Sequence, residues 1–148
     1  RVRFLDESHA VIFTDKGMQL FSTRVETSPE SVKQIPIEEN IRSISYAQDK
    51  VGIVTDNMEG GDPYRLRIYD REGSPVFEKS FNYQYTGFDI DGDLILLYND
   101  SSCKVYNMTG TEKYNGTFDF TVSKVSAGRF PGTLLVMGPQ KMTEIKLQ

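Results

Sequence analysis

Ile68-Tyr69-Asp70-Arg71-Glu72-Gly73-Ser74-Pro75-Val76-Phe77-Glu78-Lys79-Ser80-Phe81 returns 37 positions later, without a gap, as Val105-Tyr106-Asn107-Met108-Thr109-Gly110-Thr111-Glu112-Lys113-Tyr114-Asn115-Gly116-Thr117-Phe118. Tyr, Gly and Phe coincide, and the register continues by pairing Tyr83 with Phe120, Tyr85 with Val122 and Phe88 with Val125. Inside the repeat, Asp70-Arg71-Glu72-Gly73 and Asn107-Met108-Thr109-Gly110 each place Asp or Asn first and Gly fourth. That is the pattern of a type I turn followed by a left-handed glycine. The side-chain oxygen caps the turn, and glycine alone enters positive φ at little steric cost.

Working outward, the chain divides into short strands separated by turn residues. The second unit has strands at Ile41–Ala47, Val51–Asp56, Tyr64–Asp70 and Val76–Phe81, and the third at Tyr85–Ile90, Asp93–Tyr98, Cys103–Asn107 and Glu112–Phe118. The first has Val2–Leu5, Ala10–Thr14, Met18–Ser22 and Val32–Ile37, and the fourth Val122–Ala127, Thr133–Met137 and Met142–Leu147, without a fourth strand. Asp91-Gly92 reads as a two-residue hairpin joining the first two strands of the third unit. The second strand of every unit is nearly all apolar, as in Leu94-Ile95-Leu96-Leu97, which suits a strand covered on both faces. The third strand alternates, as in Tyr64-Arg65-Leu66-Arg67-Ile68-Tyr69, and is expected to be more exposed. Only Ser28–Lys33 offers the start of a helical turn.

A period of this size filled with strands is what β-propeller blades produce. The expected fold is all-β: a β-propeller fragment of about four blades, each a four-stranded antiparallel sheet, the last lacking its outer strand. The blades fall at approximately 1–37, 41–81, 85–118 and 122–148, in a single propeller region read as the C-terminal part of a longer one. A missing strand leaves an open edge, and the first unit leaves an apolar face. Both favour a homodimer or a complementary propeller fragment.

Composition narrows the function. The 148 residues carry a net charge of -4, and lysines and arginines are scattered singly, so no basic stripe is available for nucleic acid. No apolar run reaches the roughly 18 residues a membrane span requires. The sequence begins at Arg1 rather than Met, from which an upstream segment is expected. Cys103 is the single cysteine, which excludes an intrachain disulfide and a cysteine-based zinc site. His9 is the single histidine and reads as a turn residue rather than a triad member.

The succession Leu96-Leu97-Tyr98-Asn99, Val105-Tyr106-Asn107 and Gly110, with the closing Glu144-Ile145-Lys146-Leu147, resembles a clostridial family of N-terminally membrane-anchored propellers known as a domain of unknown function. The likeness covers about the last 110 residues. It implies an extracytoplasmic bacterial domain that meets the membrane only through an upstream anchor helix, and it carries over no catalytic residues. Other propeller classes fit less well: no tryptophan is present, and the kelch double glycine is matched only by Gly60-Gly61, in a loop.

Candidate sites are few. Asp89-Ile90-Asp91-Gly92-Asp93 crowds three carboxylates, but the glycine falls at the fourth place and no glutamate follows at the spacing of a calcium loop. It reads as a hairpin with solvated acids, and no metal or other cofactor is expected. Second strands end in polar pairs at Thr14-Asp15, Thr55-Asp56 and Tyr98-Asn99, where a propeller's binding loops emerge. The expected binding surface therefore comprises Asp15, Asp56, Asn57, Tyr83, Asn99 and Asp100, next to the acidic loop Asn57–Pro63. Asn99, Asn107 and Asn115 each open an Asn-x-Ser/Thr sequence and are read as turn residues.

Three functions compete. The first is a non-catalytic domain binding a protein, peptide or cell-envelope glycan. The second is a carboxylate-dependent glycosidase or lyase drawing on Asp15, Asp56, Glu59, Asp62 and Asp100. The third is a structural assembly module.

Overall fold

The computed structural model describes residues 2–22 and 30–147. Among these, every regular element is a strand. Fifteen strands form four antiparallel sheets in chain order. The first sheet holds β1 (Val2–Phe4), β2 (His9–Thr14), β3 (Gly17–Ser22) and β4 (Glu30–Pro36). The second holds β5 (Ile41–Tyr46), β6 (Lys50–Asp56), β7 (Tyr64–Asp70) and β8 (Pro75–Phe81). The third holds β9 (Gly87–Asp91), β10 (Leu94–Tyr98), β11 (Ser102–Asn107) and β12 (Glu112–Thr117). The fourth has three strands, β13 (Lys124–Ala127), β14 (Thr133–Met137) and β15 (Met142–Lys146). Each sheet is a meander, so consecutive strands always pair.

The repeat segments occupy equivalent places, as the third and fourth strands of the second and third sheets. Gly73 and Gly110 adopt φ of 83° and 90°. The register slips by one residue beside each turn, between Ile68 and Tyr69 and between Val105 and Tyr106. The left-handed glycine closes each turn, Gly73 N–H donating to Asp70 O and Gly110 N–H to Asn107 O at 3.0 Å, while the slips lie further along the outer strand, where Val76 and Lys113 are the extra residues of a β-bulge. Asp70 Oδ1 accepts from the N–H groups of Glu72 and Ser74, and Asn107 Oδ1 from those of Thr109 and Thr111.

Some expectations are corrected. Residues 30–33 run extended in β4 instead of opening a helical turn, while Ser28 and Pro29 lie outside the described residues. Asp91 pairs with Leu94, so the two-residue loop is Gly92-Asp93, with Gly92 at φ 60° in the first central position. The alternating strand β7 is not the exposed one: Leu66, Arg67, Ile68 and Tyr69 are all buried. Arg67 goes inside because Glu39 meets its guanidinium at 2.6 Å. A paired charge loses far less on burial than an isolated one.

The chain splits into two compact units, Arg1–Asn82 and Tyr83–Gln148. In the first, Val11, Met18, Leu20, Val51 and Ile53 are fully buried and share one cluster with Leu5, Ile35, Ile37 and Tyr69. In the second, Leu96, Cys103, Val105, Val125, Leu134 and Val136 are fully buried together with Val122. These residues come mainly from the second and third strands of the sheets. The apolar runs of β6 and β10 are buried on both faces, most completely in β6, where Val51–Thr55 are all inside, whereas Ile12 and Phe13 of β2 and Leu135 of β14 are only half-buried.

Candidate functional site

The candidate binding residues are placed by loop chemistry. In the first unit, Asp15 sits in the turn between β2 and β3. Thr14 Oγ1 accepts from the Lys16 N–H at 3.2 Å there, and Asp15 itself is exposed. Asp56 ends β6, bonds the Arg42 guanidinium and donates its N–H to the Asn40 carbonyl at 3.0 Å. Arg42 also lies over the Tyr64 ring, 5.7 Å from its centroid. Asn57 closes the 57–63 loop. Its backbone N–H donates to Pro63 O at 2.9 Å, and its side-chain amide donates to Gly60 O and Asp62 O. Gly60 and Gly61 turn the loop at φ of 86° and 81°, and Met58 stands at its tip, 75% exposed.

In the second unit, Tyr83 and Asn99 are brought together through Ser102. The Tyr83 hydroxyl lies 2.7 Å from Ser102 Oγ, which donates to Asn99 Oδ1 at 2.9 Å. Asn99 Oδ1 also accepts the N–H groups of Ser101 and Ser102, and its amide donates to Gln84 O at 2.8 Å. Burial, more than the opposing Ser102 bond, raises the Tyr83 pKa. Asp100 contributes its backbone carbonyl to the Val122 N–H at 2.9 Å. The polar ends of β6 and β10 are thus engaged in shaping their own loops.

The acidic hairpin is engaged too. Lys124 Nζ donates to Asp89 at 3.0 Å, a bond that raises the lysine pKa, and Asp91 accepts the Ala127 N–H at 3.2 Å. These contacts tie β9 to β13. Among the described residues no group of three or more His, Cys, Asp or Glu is placed to hold a metal. Asn99 and Asn107 are turn caps as expected, whereas Asn115 lies within β12, paired with Lys104. Cys103 is fully buried, and burial pushes its thiol pKa up to about 12, which removes it as a nucleophile at neutral pH. His9 is not the turn residue expected: it opens β2, where it is 3% exposed.

A feature that sequence reading left undeveloped lies along β15, the last strand of the three-stranded sheet. The Leu147 N–H donates to Gly132 O at 2.7 Å, on the β14 side. By strand alternation, the N–H and C=O groups of Glu144 and Lys146 then point away from β14, along the open edge. Beside it, a cleft of about 320 Å³ is lined by Glu112, Lys113, Tyr114, Asn115 and Lys146. The absence of a Pro or Gly in Met142–Lys146 is the sequence signal of an edge able to take a strand. In the first unit, Val2 and Phe4 of β1 are 55% and 62% exposed.

Among the described residues no helix is long and apolar enough to cross a membrane. Solved structures share the fold at low identity. KlHsv2 with its loop 6CD replaced by a Gly-Ser linker aligns with 99% of this chain and 48% of its own, at TM-score 0.58 and 11% identity. BamB from Moraxella catarrhalis aligns with 93% of this chain and 40% of its own, at TM-score 0.50 and 11% identity. A functionally unknown protein from Desulfotomaculum acetoxidans DSM 771 aligns with 95% and 52%, at TM-score 0.51 and 13% identity. Hsv2 and BamB are propellers, and with four antiparallel sheets here the fold is that of a β-propeller fragment. The chain spans roughly half the length of these structures. No curated protein matches the sequence. The model of a family of unknown function, DUF5711, matches residues 1–147, and the chain belongs to that family.

Proposed function

We propose that this chain is a non-catalytic interaction region of an extracytoplasmic bacterial propeller, and that what it binds is polypeptide. In this reading each of the four sheets is one blade, at approximately 1–37, 41–81, 85–118 and 122–148, of a larger propeller. The observation that carries it is the β15 edge, where the outward backbone groups of Glu144 and Lys146 adjoin the cleft beside β12. An extended peptide satisfies such an edge by adding a strand, with side chains entering the neighbouring groove. A glycan offers no repeating N–H and C=O pair to match it. Taken each within its own unit, the residues of the expected binding surface hold their loops in fixed shapes, Asp56 and Asn57 in the first unit and Asn99 in the second. Catalysis by a carboxylate pair is less well supported, because Asp56 is held by Arg42.

The test uses a labelled synthetic peptide with the sequence of Pro75–Phe81, the outer strand of the second sheet, as a stand-in for the added strand. Fluorescence anisotropy is expected to show saturable binding to the chain, and Glu144→Pro is expected to abolish it. That substitution removes an outward donor and leaves the β14 ladder intact. Soluble peptidoglycan fragments are expected to give no binding. Glycan binding, or peptide binding unchanged by Glu144→Pro, overturns the proposal.

A further inference from the structure

His9 is the single histidine of the chain, and it is 3% exposed at the start of β2. A buried imidazole needs partners for both ring nitrogens, and here they come from two different sheets. On one side, Nδ1 lies 3.0 Å from Asp6 Oδ1, 3.2 Å from Asp6 Oδ2 and 3.0 Å from Ser8 Oγ, all in the β1–β2 turn of the first sheet. On the other, Nε2 lies 3.4 Å from Glu72 Oε1, in the β7–β8 turn of the second sheet. Arg71 reaches from that same turn to Asp6 at 2.7 Å.

We propose that His9 is a pH-operated clasp between the first and second sheets, closed when the imidazole is protonated. The neutral ring has one N–H and satisfies one carboxylate. With that N–H given to Asp6, Nε2 presents a lone pair to Glu72, and the carboxylate gains nothing by staying. Proton uptake from solvent supplies the second N–H, and both nitrogens then donate charge-assisted bonds. The charges agree. Asp6, Glu72 and Arg71 sum to one negative charge around the ring, which the imidazolium cancels.

The two arms differ in mobility. Asp6 is 15% exposed and fixed by Ser8 N–H at 2.7 Å as well as by Arg71, so its arm holds at either protonation state. Glu72 is 51% exposed and can swing to water, which makes it the arm that opens. Facing β2 across the ladder, Ser22 opposes His9 and brings no charge. Glu7 is the remaining ionisable group of the β1–β2 turn, and Asp49, in the β5–β6 turn, acts on Arg71. The second arm is therefore present while the ring carries its second proton and is lost when that proton leaves.

The experiment compares thermal midpoints of the chain at pH 5.5 and 7.5 for the wild type, Glu72→Gln and His9→Gln. The wild-type midpoint is expected to be about 2–4 °C higher at pH 5.5. Glu72→Gln, a substitution at a half-exposed position, is expected to lose most of that difference, and His9→Gln all of it. Imidazole ¹⁵N spectra, free of overlap because there is one histidine, are expected to show two protected N–H groups at pH 5.5 in the wild type and one in Glu72→Gln. A wild-type midpoint equal or lower at pH 5.5, or a difference that Glu72→Gln leaves intact, overturns the proposal.

Discussion

At the scale of single residues, Asp6 concentrates more consequence than any side chain of the expected binding surface. The Ser8 backbone N–H is the largest cause holding its carboxyl well below the usual carboxylate range; partial burial opposes this, and bonds from His9 and Arg71 reinforce it. A carboxyl depressed in the folded chain contributes stability that is fully present above the unfolded value, near pH 4, and is lost as pH falls below it. Urea midpoints measured from pH 7 to pH 2 should therefore drop steeply below about pH 4. In Asp6→Asn the drop should be shallower, with stability at pH 7 reduced by about 1–3 kcal/mol for the lost charge-assisted bonds. An unchanged acid limb would remove Asp6 from this role. What sequence reveals at this scale follows the span of the interaction. Asp70 and Asn107 are legible as turn caps because their partners lie within four residues. The Asp6 cluster is not, because Arg71 arrives from 65 residues away and nothing local announces it.

Among the elements, β7 shows where pattern and packing part. Its alternation of charged and apolar residues has the period of a strand with one wet face, yet Leu66–Tyr69 are buried on both faces. The unbroken apolar runs of β6 and β10 needed no such correction, since an all-apolar strand has only one favourable place. The difference lies in Glu39, 28 residues before Arg67, which neutralises the guanidinium in the interior. Removing one member of a buried pair leaves the other charge without compensation. Glu39→Ala should therefore destabilise the chain by about 3–5 kcal/mol. The double variant Glu39→Ala/Arg67→Met should recover most of the loss, since no charge remains to be desolvated. Urea unfolding of the two single variants and the double measures the coupling directly. Additive losses would mean that Arg67 is held by packing rather than by its partner.

For the whole molecule, four meanders were legible because the repeat recurs without a gap, and the open edge because the fourth meander has three strands. Which groups that edge exposes was not legible, since it depends on the hydrogen bond that sets the alternation of β15. That geometry admits a specific pairing with a second copy of the chain. Set antiparallel with Ile145 opposite its own symmetry mate, β15 places Glu144 against Lys146 of the other copy, and Lys146 against Glu144. Both are residues whose N–H and C=O face outward, so each such pair closes a double hydrogen bond, as the antiparallel ladder requires at alternate positions. Opposite charges then lie across both pairs on one face, a favourable cross-strand arrangement. Shifting the register to centre on Glu144 would oppose like charges. Light scattering is expected to give a dimer at high concentration. Glu144→Lys, which sets lysine against lysine, should yield a monomer, and Glu144→Lys/Lys146→Glu should restore the dimer, because the exchanged charges remain complementary under the same two-fold axis. A monomeric wild type, or a dimer indifferent to Glu144→Lys, would show that copies of the chain do not meet through β15.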